Sequence, residues 1–152
     1  MIHSIMVLYN QICVFDVKLD YPFNDWNDEH VQQGFSWRPG SVSFGTMENG
    51  VTPVDVQIAK QTMIDASSFR VISVPFQVPD HGKLAIGSIG DEREVEINPE
   101  SYDLIFELAH KGQNPRCRLI FVPNASPAAK ILRADAEITK TSNFEMKAAP
   151  AI

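Results

Sequence analysis

Asp25-Trp26-Asn27-Asp28-Glu29, running on through Gly34 and Gly40 to Ser43-Phe44, decides the fold, because it holds the one short helix in a chain that otherwise reads as strands. Asn27 suits the N-cap, where a side-chain oxygen accepts from the first free backbone N–H groups. Asp28 and Glu29 fall in the first turn, where the helix dipole favours negative charge. Trp26 before the cap and Val31 inside the helix have the spacing of a hydrophobic staple. Gly34 stands where a left-handed residue would stop the helix. Together these signals predict a short capped helix near residues 28–33, pinned across the end of a sheet.

On either side of it the chain has strand character. Residues 1–9 read as a first strand. Residues 5–17 are apolar on both alternating faces (Val7, Tyr9, Cys13 and Phe15 against Met6, Leu8, Ile12 and Val14), as expected of a central strand covered on both sides. Residues 20–24 make a loop into the helix. Residues 35–46 predict a strand interrupted at Arg38-Pro39-Gly40, and Glu48-Asn49-Gly50 is a tight-turn signal. Val54, Val56 and Ile58 alternate with Asp55, Gln57 and Ala59, the pattern of a half-buried strand. Residues 68–78 repeat it, with Ile72, Val74, Phe76 and Val78 on one side. Pro75 inside that run cannot donate to a ladder and predicts an edge position or a bulge.

Asp80-His81-Gly82 is another turn. Residues 84–89, 92–98, 102–111 and 116–122 read as four further strands, and a last one is expected around residues 134–138. Residues 141–152 lack a periodic core pattern and predict a flexible tail. The expectation is an all-β chain: an antiparallel β-sandwich of about eight or nine short strands with one short helix, in a single domain over residues 1–140.

The composition is that of an ordinary globular protein, with 44% hydrophobic and 21% charged residues in 152. Nineteen acidic side chains against thirteen basic ones leave a formal charge of -6. That balance disfavours direct binding of nucleic acid, which needs a basic face to neutralise phosphates. It allows a basic partner, drawn in at long range, although mild acidity more commonly serves solubility. Cys13 and Cys117 lie in apolar, strand-like runs without CxxC spacing and read as buried small hydrophobes. The N-terminal stretch has no basic region, no cleavage site and too little length to span a bilayer, so cytoplasmic residence without membrane association is expected.

Catalytic signatures are weak. His3, His30, His81 and His110 are scattered and make no metal-ligand spacing, and solvated or packing roles suit His30 and His81. No nucleophile elbow, phosphate loop or dinucleotide glycine motif occurs. Gly87-Ser88-Ile89-Gly90 lacks a phosphate-loop lysine and a following helix, and reads as a strand end with a turn. Cys117 sits between Arg116 and Arg118, but the inward alternation of Cys117, Leu119 and Phe121 turns those arginines the other way. No catalytic residue, metal site or cofactor is expected.

Charge carries more information. Over residues 80–110 the acids are Asp80, Asp91, Glu92, Glu94, Glu96, Glu100, Asp103 and Glu107, against Lys83 and Arg93; from Lys111 onward the balance reverses. Period-two geometry puts Glu92, Glu94 and Glu96 on one side of a strand while Val95 and Ile97 point inward. If the next strand pairs with it, Asp103 and Glu107 stand on the same exposed face. A row of like charges implies strong solvation or a cationic partner.

Two blocks carry a family resemblance. The first is Asp25-Trp26-x-Asp28-Glu29 with Gly34, Gly40 and Ser43-Phe44; the second is Val74-Pro75-Phe76-x-Val78 with Gly82, Ser88-Ile89 and Tyr102-Asp103. In order and spacing they resemble the competence protein J family, inhibitors of the DNA-entry nuclease of competent bacteria. The resemblance runs from the first strand to about residue 138 and departs from the family in residues 113–133 and after residue 139. It implies a small non-enzymatic protein that binds and inhibits a DNA nuclease, in competence or as an immunity protein against a nuclease toxin. It carries no inhibitory residues over to particular positions.

Physics supplies the candidate surface. A nuclease holds phosphates in a basic groove, which an acidic surface can occupy as a phosphate mimic while aromatic anchors carry the affinity. The candidates are Asp25, Trp26, Asp28, Glu29 and Trp37 around the helix, and Asp91, Glu92, Glu94, Glu96, Asp103 and Glu107 on the acidic strands. The alternative is a β-sandwich module binding a carbohydrate or lipid through exposed Trp26, Trp37 or Phe35.

Overall fold

The computed structural model describes the backbone of residues 1–152 and every side chain except that of Lys111. Eleven strands form, β1 (Ile2–Val7), β2 (Gln11–Asp16), β3 (Phe35–Arg38), β4 (Ser41–Gly45), β5 (Gly50–Ile58), β6 (Arg70–Gln77), β7 (Lys83–Ser88), β8 (Asp91–Glu96), β9 (Ser101–Lys111), β10 (Asn114–Pro123) and β11 (Lys130–Arg133), with one helix, α1 (Asp28–Gln33). They make a six-stranded sheet, β1-β5-β10-β9-β6-β11, and a five-stranded sheet, β3-β4-β2-β7-β8. The paired strands are antiparallel except β5 and β10, which run parallel. The chain is all-β, as its alternating patterns predict.

Inward-facing residues of both sheets share one core. Ile12, Val14, Val42, Phe44, Leu84 and Ile86 of one sheet meet Ile5, Val54, Ile72, Phe106, Leu119 and Phe121 of the other. Phe44 stacks on Phe106 across the sandwich with ring centroids 4.6 Å apart. A pair of aromatic rings in this geometry adds about 1 kcal/mol beyond its buried area.

The two strands beyond the expected nine come from runs that sequence alone left joined. Residues 5–17 are cut at Tyr9 and Asn10, both with positive φ (56° and 51°), so β1 joins one sheet and β2 the other. Residues 35–46 fold back at Arg38-Pro39-Gly40 as the β3–β4 hairpin. The two-sided apolar pattern holds for β2, whose Cys13 and Phe15 pack with Ala85, Val17 and Phe23 on the outer face of the five-stranded sheet. Pro75 lies two residues beyond Ser73, the last residue of β6 paired with β11, so its missing N–H falls where no strand needs it.

Two local expectations are corrected. The last strand is Lys130–Arg133, pairing with β6, and not residues 134–138; Ile138 enters the core as an isolated apolar residue. Ile58, at the end of β5, is exposed. Residues 141–152 run back beside α1 in the structure. Phe144 and Met146 pack on the core, Gln33 holds both backbone groups of Glu145, and the amides of Asp25 and Ala151 bond Ala149 and Phe23.

Candidate functional site

α1 is built as its sequence predicts. Asn27 Oδ1 accepts from the His30 amide at 2.9 Å, and His30 Nδ1 accepts from the Asn27 amide at 3.1 Å, a reciprocal capping box. His30 Nε2 then donates to the Lys147 carbonyl at 3.1 Å, so this buried histidine ties the helix to the C-terminal segment. Gly34 closes the helix at φ 85°, where an added Cβ would lie 2.9 Å from Ile72 Cδ1. Asp25, Asp28 and Glu29 are exposed around this end, and Trp26, half-buried, donates from Nε1 to Gln11 Oε1 at 3.2 Å.

Trp26 and Val31 do not close on each other to bury a staple; Val31 is 58% exposed. Both instead line a groove of about 510 Å³ between α1, the Tyr9-Asn10 turn, the end of β4 and residues 137–138. Arg70 reaches its floor at 2% exposure. Its guanidinium donates to Asp135 twice, from Nε at 3.1 Å and Nη2 at 3.0 Å, to Glu137 Oε2 at 3.2 Å and to the Gly45 carbonyl at 2.7 Å. A buried guanidinium needs acceptors such as these to offset its lost hydration. Sequence reading missed Tyr9, Arg70 and Glu137. The available signals were an arginine opening the apolar run of β6 and two acids spaced i, i+2 just after β11.

The acidic strands divide. Glu92, Glu94 and Glu96 form an exposed row on β8, opposite Gly87, Ala85 and Lys83 of β7. β9 pairs with β6 and β10 in the other sheet, so Asp103 and Glu107 do not join that row. Glu107 is 1% exposed, accepting from Arg118 Nε at 2.6 Å, the Asp65 amide at 2.9 Å and Ser68 Oγ at 3.2 Å. Asp103 accepts from Asn124, and Asp91 holds the Met6 amide and Arg93.

Of the aromatic candidates, Trp37 donates its indole N–H to the Pro75 carbonyl at 2.7 Å, far from Trp26 in its contacts, and Phe35 is fully buried. The structure thus brings Asp25, Trp26, Asp28 and Glu29 together at α1, and Glu92, Glu94 and Glu96 together on β8. It leaves Trp37, Asp91, Asp103 and Glu107 apart.

Burial pushes the Cys13 thiol up to about 12 and the Cys117 thiol higher still, the reverse of what a thiolate nucleophile requires. Among the described residues no cluster of His, Cys, Asp and Glu has metal-binding geometry, and no helix is long and apolar enough to cross a membrane. What the molecule offers is surface: an aromatic groove beside exposed carboxylates, and an acidic strand row. Fold and surface together define a small all-β sandwich protein equipped for binding. The chain belongs to the competence protein J (ComJ) family, whose model matches residues 4–122. Among solved structures it is similar to the crystal structure of ComJ, inhibitor of the DNA degrading activity of NucA, from Bacillus subtilis. The TM-score is 0.72 at 20% identity, covering 82% of this chain and 96% of that one, a likeness of fold. No curated protein matches the sequence.

Proposed function

We propose that this chain is a non-enzymatic inhibitor that binds a DNA nuclease in the cytoplasm and blocks it without touching DNA. The observation that carries the reading is family membership over residues 4–122, alongside a similar fold in a protein described as an inhibitor of the DNA-degrading activity of NucA. A formal charge of -6 fits a partner whose DNA-binding groove must be cationic. Two acidic faces suit that groove, the β8 row of Glu92, Glu94 and Glu96 and the helix end bearing Asp25, Asp28 and Glu29. The same chemistry serves a competence inhibitor and an immunity protein against a nuclease toxin.

The test is plasmid degradation by a NucA-class nuclease of the same cell, with this protein titrated in at two salt concentrations. Inhibition complete near equimolar ratio is expected, since a stoichiometric inhibitor acts by occupying the enzyme. Full cleavage at large excess, with no co-elution of the two proteins, would sink the reading.

A further inference from the structure

We propose that the groove beside α1 is a socket for a cationic side chain, best an arginine, carried on a basic loop of the nuclease. The inference rests on the inhibitor reading and adds to it the anchoring surface and the chemistry it recognises.

Tyr9 is the first reason. Its ring is 70% exposed on the groove rim, and its backbone is held at φ 56°, a conformation that L side chains rarely adopt. Asparagine or glycine would make the same turn with less strain. Among the described residues no hydrogen bond reaches its hydroxyl. The fold needs the turn between β1 and β2 but not an aromatic ring at its strained position, and strained residues gather at ligand contacts. Trp26 supplies a second aromatic surface in the same groove, fixed in place by its bond to Gln11.

Charge is the second reason. Arg70 contributes one positive charge, against two negative charges on Asp135 and Glu137, so the cluster at the groove carries a net -1. Arg70 engages Oε2 of Glu137, whose side chain is 55% exposed, and leaves Oε1 free to accept from a guest. An aromatic rim over a half-satisfied carboxylate matches guanidinium, which stacks on rings and bonds carboxylates in the same plane. Asp25, Asp28 and Glu29 on the adjoining helix end extend the negative field that would draw such a loop in. A nuclease must present arginine or lysine where it grips phosphates, so the occupant is a group the partner has to carry.

Two variants test the socket, Tyr9→Gly and Glu137→Lys. Glycine at position 9 removes the ring and relieves the positive φ, so Tyr9→Gly should keep or raise the thermal midpoint. Binding to the NucA-class nuclease is measured by calorimetry, and inhibition by plasmid cleavage. The socket predicts roughly tenfold weaker binding for Tyr9→Gly and a larger loss, about a hundredfold, for Glu137→Lys. If the wild type inhibits and both variants bind as tightly as it does, the socket is wrong and the inhibitor reading stands. If the wild type neither binds nor inhibits, both fall together.

Discussion

Asp91, the first residue of β8 in one sheet, accepts the backbone amide of Met6 in β1 of the other sheet at 2.7 Å. β1 is an edge strand, and its free N–H and C=O groups are an invitation to pair with another chain. Arg93 completes the cover by donating to the Ser4 carbonyl at 3.0 Å while pairing with Asp91. A residue expected to meet a partner is thus engaged in closing the corner of the sandwich. Gly87 lets the start of β8 lie close on β7, since a Cβ there would lie 2.1 Å from the Asp91 carbonyl oxygen.

Asp91→Ala should therefore lower the thermal midpoint and promote concentration-dependent self-association, read by light scattering. The Met6 amide, and then Arg93, hold the Asp91 carboxyl below the usual carboxylate range. A lowered folded-state value means a contribution present above the unfolded pKa, about 3.9, and lost as pH falls through the lowered value. The difference between wild type and variant should persist at neutral pH and vanish only in strong acid. A variant that stays monomeric and equally stable would show that the edge needs no cover.

Buried Glu107 on β9 pairs with half-buried Arg118 on β10. Glu107→Ala leaves Arg118, the Asp65 amide and the Ser68 hydroxyl without their shared acceptor, and should destabilise the protein by roughly 1–3 kcal/mol, measured by urea unfolding. At concentrations where the variant remains folded, nuclease binding should match wild type. A selective loss of binding with stability intact would return Glu107 to the list of contact residues.

The two thiols set a limit at alkaline pH. Burial raises Cys13 to about 12, whereas an unfolded thiol ionises near 8.5. Above that pH the unfolded chain releases a proton that the folded one retains, so stability falls between roughly 8.5 and the folded value. The contribution is fully present below the unfolded pKa. Cys13→Ser and Cys117→Ser variants should each flatten this decline, and native protein at pH 7 should resist alkylation by iodoacetamide. Rapid labelling of the folded protein would contradict the burial.

The β8 row is tested by charge reversal. Glu94→Lys with Glu96→Lys should slow association with the nuclease about tenfold and weaken its dependence on salt, as loss of steering does. Unchanged rates at both low and moderate salt would exclude this face and leave the helix end. Glu94 lies opposite Ala85, so its reversal should change the thermal midpoint little, whereas Glu96→Lys faces Lys83 and should lower it slightly.

Much of the fold could be read from local pattern. The Asn27 cap, the Gly34 stop and the inward sets of β6 and β10 follow from periodicity and capping, because both are properties of neighbouring residues. Tyr9-Asn10 shows where such reading ends. Neither residue breaks the apolar run strongly, and only the separate pairing of β1 and β2 with two different sheets forces the turn. The same holds for residues 141–152, where no period exists to find. Gln33 recognises the Glu145 backbone, and Phe144 sits against Phe35 at 5.7 Å between ring centroids.

The candidate surface divides along the same line. The sequence by itself determined an acidic all-β chain with a capped helix and an alternating glutamate row, since charge, capping and period two are local and additive. Only the tertiary structure decided which acids are available. It placed β8 and β9 in different sheets, buried Glu107 on Arg118 and spent Asp91 on a strand edge. It also brought Tyr9, Trp26 and Glu137 to one groove from positions up to 128 residues apart. Sheet order and long-range ion pairing are settled by the packing of distant segments, and no local window of sequence contains that information.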